Sequence, residues 1–77
     1  MNITTATQKV AALPDNTLAK YMKILINWKN HLSISEEALE YVLEDFNQGV
    51  EPPINALLFD TLIRTRVIER FLEENQP

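Results

Sequence analysis

The strongest interruptions of regular structure fall at three places in this chain: Leu13-Pro14-Asp15-Asn16, Leu32-Ser33-Ile34-Ser35, and the stretch from Gly49 to Pro53. They divide it into four segments, and each segment reads as a helix. The expected fold is therefore all-α, a small bundle of three long helices plus a short N-terminal helix. At 77 residues the chain is about half the length of a common domain, so residues 1–77 are expected to form a single helical domain.

The first segment carries Thr4, Thr5 and Thr7 as possible caps and ends near Ala12; its shortness and weak periodicity predict a marginal helix. In the second, Asp15 or Asn16 is placed to cap a run in which Leu18, Tyr21, Met22, Leu25, Trp28 and Leu32 recur at three- and four-residue spacing. Its opposite face carries Lys20, Lys23, Asn27, Asn30 and His31. The third opens with Ser33-Ile34-Ser35-Glu36, where a serine cap and a glutamate three residues on can satisfy each other's backbone donors, and it closes at the chain's one glycine, Gly49. Ile34, Ala38, Tyr41, Val42 and Phe46 are expected to form its apolar face, widened by Leu39 and Leu43.

Pro52-Pro53 predicts an extended linker that can open a fourth helix over roughly Ile54 to Glu74. On a helical wheel that segment shows two apolar arcs. Ile54, Leu57, Leu58, Leu62, Ile68 and Leu72 lie on one side, and Ala56, Phe59, Ile63, Val67 and Phe71 lie nearly opposite. Three other helices can cover one arc. The second predicts a homodimer through this helix, with Phe59, Ile63, Val67 and Phe71 as the expected interface.

Stability must come from packing or oligomerisation. A core this small rarely contributes more than about 3–5 kcal/mol, and the chain has no cysteine for a disulfide or a thiolate metal site. The lack of cysteine fits a reducing cytosol, and the cytoplasm is the expected compartment. No apolar run is long enough for a secretory signal or a membrane span.

The net charge of −4 hides a segregation along the chain. Before Ser33, Lys9, Lys20, Lys23 and Lys29 stand against Asp15 alone. The third segment and its exit carry Glu36, Glu37, Glu40, Glu44, Asp45 and Glu51 with no basic residue. Glu36, Glu40 and Glu44 follow one another at four-residue spacing, which costs a few tenths of a kcal/mol per pair in an isolated helix and would be relieved by a basic partner. Glu37, Glu40 and Glu44 are the candidate partner-binding residues; a solvated face is the alternative for them.

No constellation names a reaction. His31 is the only histidine and has no second ligand at metal-binding spacing, so no metal or other cofactor is expected. Ser33 and Ser35 are explained as caps, no base is placed to activate a nucleophile, and the chain is not expected to be an enzyme. Arg64, Arg66 and Arg70 invite a nucleic-acid reading, but a pI near 4.8 and the lack of a basic stripe argue against phosphate binding. Arg66 with Glu69, and Arg70 with Glu73 or Glu74, also have the spacing of ordinary intrahelical pairs. Aromatic side chains are expected in the core, with Tyr21 and Trp28 as possible interface anchors. The expectation that remains is a small acidic protein–protein interaction module, an adaptor, regulator or inhibitor acting by surface occupancy on a protein with a basic surface. A nucleic-acid-binding regulator using the three arginines, and a small enzyme or a catalytic or non-catalytic subunit of a ligand-binding complex, stand as alternatives.

Overall fold

The computed structural model describes residues 3–30 and 33–76, with the backbone alone described at residues 3 and 33–35. Four helices follow in order: α1 (Ile3–Ala11), α2 (Asp15–Lys29), α3 (Ser33–Phe46) and α4 (Ala56–Glu74). No strand occurs among the described residues, and none of their helices is long and apolar enough to cross a membrane. The readings placed on His31 and Leu32, and the side-chain roles of Ser33, Ile34 and Ser35, lie outside what is described.

The helices close on one apolar core. α2 packs on both α3 and α4, and α4 also meets α1 and α3. Leu25, Phe46, Val50, Phe59 and Ile63 are its largest fully buried side chains. The Phe59 ring sits at its centre, 5.0 Å from Phe46 and 5.6 Å from Tyr21 between centroids, both in the tilted geometry that aromatic quadrupoles favour. Burial, and behind it the negative charge of Asp45, pushes the Tyr21 hydroxyl above its ordinary pKa.

Three helix ends differ from their expected form. α2 starts one residue early: Pro14 occupies the N-cap in an extended conformation, its carbonyl accepting from Thr17 and Leu18, and its ring has no acceptor to make a side-chain cap. The helical part of α3 ends at Phe46, and Gly49 takes its positive φ of 80° three residues later, in the turn that follows. There Val50 donates back to the Asn47 carbonyl and buries its own side chain. α4 begins after Asn55, whose side-chain oxygen accepts from the Leu58 amide at 2.9 Å; the prolines lie in the connection and do not open the helix. That connection contains a cis Glu51–Pro52 bond. It is fastened by Asn47, whose amide donates to the Ile54 carbonyl and accepts from the Ile54 N–H, each at 3.0 Å.

The two arcs of α4 resolve differently from the expectation. Phe59 and Ile63 are 0 % exposed in the chain's own core, with Val67 packed against it, so Phe59 and Ile63 are unavailable to a second subunit. Phe71 stays outside the core and is 62 % exposed. In the opposite arc Ile54 is buried ahead of the helix and Leu58 and Leu62 pack against the core edge, while Leu57, Ile68 and Leu72 remain outside. On α3 the buried positions are Leu39, Val42 and Phe46; Tyr41, expected inward, is 79 % exposed because the inward stripe runs one position to its side.

Candidate interaction surfaces

α2 and α4 run antiparallel, as two ion-pair clamps show. At one end Arg70 grips Asp15 with a two-pronged contact, Nε to Oδ1 at 3.0 Å and Nη2 to Oδ2 at 2.9 Å. Arg70 also reaches Glu73 at 2.8 Å and Glu74 at 3.3 Å, so three carboxylates surround it. The hydrogen bond from Arg70 holds the Asp15 carboxyl below the ordinary carboxylate range, and Asp15 first, with Glu73 behind it, pushes the guanidinium still higher. At the other end Asp60, the one buried charged residue among those described, accepts from Arg64 Nε at 2.8 Å and faces Lys29 Nζ at 3.8 Å. A buried carboxylate needs such partners.

At the Asp15–Arg70 clamp, whose two residues line it, lies an open groove of about 580 Å³. Leu18, Ala19, Met22 and Ile26 of α2 form one wall, and Val67 and Phe71 of α4 form the other, with Lys23, Asn27 and Glu74 at the rim. Phe71 joins this groove to a second apolar surface, because Ile68, three residues before it, neighbours it on the outer side of α4. Along that outer side Leu57, Ile68 and Leu72 are 64 %, 57 % and 54 % exposed. Tyr21 and Trp28 do not act as free anchors: Tyr21 is buried, and Trp28 packs against the core with Lys29 Nζ 5.6 Å from its ring centre.

The third surface is acidic. Glu36, Glu37, Glu40 and Glu44 are all exposed on α3, and among the described residues no ion pair involves this helix. A shallow cleft of about 140 Å³ lies beside them, formed by Tyr41, Glu44, Asp45 and Gln48. Glu37, Glu40 and Glu44 are exposed along this helix, and no ion pair to them occurs among the described residues.

The arginines do not form a free basic surface. Arg64 is held by Asp60, Arg66 by Glu69 and Glu73, and Arg70 by Asp15, Glu73 and Glu74. Arg66 Nε is buried with no hydrogen-bond partner, an unspent donor beside its two carboxylates. No group of three or more histidine, cysteine, aspartate or glutamate side chains among the described residues could hold a metal ion. The Asp60 site and the Asp15–Arg70 clamp escaped the sequence reading, since 55 residues separate the latter pair and no local spacing marks it. No family model matches the chain, and no curated protein or solved structure shows detectable similarity to it.

Proposed function

We propose that this chain is a small acidic protein–protein interaction module, an adaptor, regulator or inhibitor that acts by occupying a surface and catalyses nothing. The observation that carries the reading is the continuous exposed apolar surface that runs from the α2–α4 groove across Phe71 to the outer side of α4. Monomeric proteins seldom leave so many large apolar side chains together in water, and such patches mark docking sites. The groove takes the apolar anchors of a protein partner, in the manner of a helix face laid into a furrow. The exposed carboxylates Glu37, Glu40 and Glu44 add a long-range term: they draw in a partner with a basic surface and speed its encounter. Engaged arginines leave little for phosphates, so a protein partner fits better than nucleic acid. A cytoplasmic setting belongs to the same proposal. So does a homodimer, now seated on the outer side of α4.

Affinity purification from the native host with three baits tests the module reading. The baits are the wild-type chain, Ile26→Asp in the groove wall, and the triple reversal Glu37→Lys, Glu40→Lys, Glu44→Lys. A protein retained by the wild type, lost from Ile26→Asp, and bound more slowly by the reversal at low salt is the expected result. A partner held equally well by all three baits would rule the reading out.

A further inference from the structure

We propose that the outer side of α4 pairs with the same surface of a second copy in an antiparallel arrangement centred between Arg64 and Thr65. This deepens the interaction-module reading and rests on it. Leu57, Thr61, Ile68 and Leu72 follow one another along this side at intervals of four, seven and four residues, so the spacing, though not the residue order, is the same from either end. Turned end for end, a second α4 therefore sets its Leu72 against Leu57 and its Ile68 against Thr61, the self-matching that a two-fold interface demands.

The chemistry of the stripe suits a dry contact. Thr61 donates its hydroxyl to the Leu57 carbonyl at 3.1 Å, which leaves its methyl group as the outward feature. The charged residue nearest the middle, Arg64, is drawn aside by its 2.8 Å contact with Asp60. Leu57, Ile68, Leu72 and the adjoining Phe71 are each more than half exposed. Together they offer on the order of 400 Å² of apolar area, taking roughly 100 Å² for each such side chain. A standard interface covers about 800 Å² per partner, of which roughly 450 Å² is apolar. The stripe therefore supplies most of the apolar area that a stable dimer needs.

The helix dipoles select the direction. A parallel pair would align two of them side by side, whereas the antiparallel pair sets each against the opposite end of the other.

The chain contains no cysteine, so single cysteines report the register cleanly. Sedimentation equilibrium of the wild-type chain at high micromolar concentration should give twice the 8.9 kDa chain mass, and Ile68→Asp should return it to the monomer with its helical circular dichroism unchanged. Under mild oxidation Thr65→Cys should cross-link to itself. Leu57→Cys and Leu72→Cys should each stay uncross-linked alone and join when mixed, with Glu40→Cys giving the background from random collisions. A monomeric wild type would overturn both the dimer and its register, leaving the module reading to the three baits. A dimer in which Leu57→Cys and Leu72→Cys each cross-link to themselves would overturn the antiparallel register while the dimer stands.

Discussion

Lys9 closes the C-terminal end of α3: its ammonium donates to the Phe46 carbonyl at 2.7 Å and lies 5.2 Å from the centre of the same residue's ring. A second bond, to the Gln48 carbonyl at 2.8 Å, extends the cap into the following turn. Helix ends leave carbonyls without partners, and a cation there also meets the negative end of the helix dipole. The shortest helix is in this way tied to the core through a helix distant in sequence.

Lys9→Met keeps the aliphatic stem and removes both donors. It should lower stability by about 1–2 kcal/mol, read as a fall in Tm, whereas Lys20→Met on the exposed face of α2 should have little effect. Equal melting temperatures for the two variants would show that the cap contributes nothing.

Phe59 and Phe71 lie on the same sequence arc of α4 and should respond differently to truncation. Phe59→Ala opens a cavity beside Phe46 and Tyr21 and should cost about 3–5 kcal/mol. Phe71→Ala removes a side chain already mostly in water and should cost less than about 1 kcal/mol. Denaturant titration of the two variants compares them directly, at protein concentrations low enough to exclude association.

Gly49 has a φ of 80°, and a Cβ added there would meet nothing within 4 Å. The penalty for a side chain is therefore conformational and not steric crowding. Gly49→Val should destabilise by about 1–2 kcal/mol, and Gly49→Asn by clearly less, since asparagine tolerates the left-handed region. Thermal melts that place valine and asparagine together would contradict this origin of the cost.

The Asp15–Arg70 clamp makes stability depend on pH in a defined direction. Asp15 has a folded-state pKa below its unfolded one, so its contribution is present above the unfolded value and fades as pH falls through the folded value. The difference in Tm between wild type and Asp15→Asn should be positive at neutral pH and close as pH drops below about 4. Asp15 is exposed and Arg70 partly so, and the effect should also shrink with added salt. A difference that persists unchanged in strong acid would assign it to something other than the charged pair.

Much of the local structure was legible in advance because its causes are local. The three-and-four spacing of Leu18, Tyr21, Met22 and Leu25 announces α2, and the punctuation at Gly49 announces the turn after α3. The Asn55 cap was also available, an asparagine directly ahead of an apolar run, although the neighbouring proline pair is the louder signal. Tyr41 misled because a helical wheel gives an apolar arc about 100° wide and does not say which edge of it turns inward.

The sequence by itself determined that this protein is helical, where its chain must turn, and how its charges are grouped, because each follows from covalent neighbours within about one helical turn. Only the tertiary structure decided which arc of α4 is core, since that depends on how much surface three other helices can cover. It alone brought Lys9 to Phe46, Asp15 to Arg70 and Lys29 to Asp60. A pair distant in the chain leaves no periodic trace: its contact is made by packing, after the helices have formed their faces.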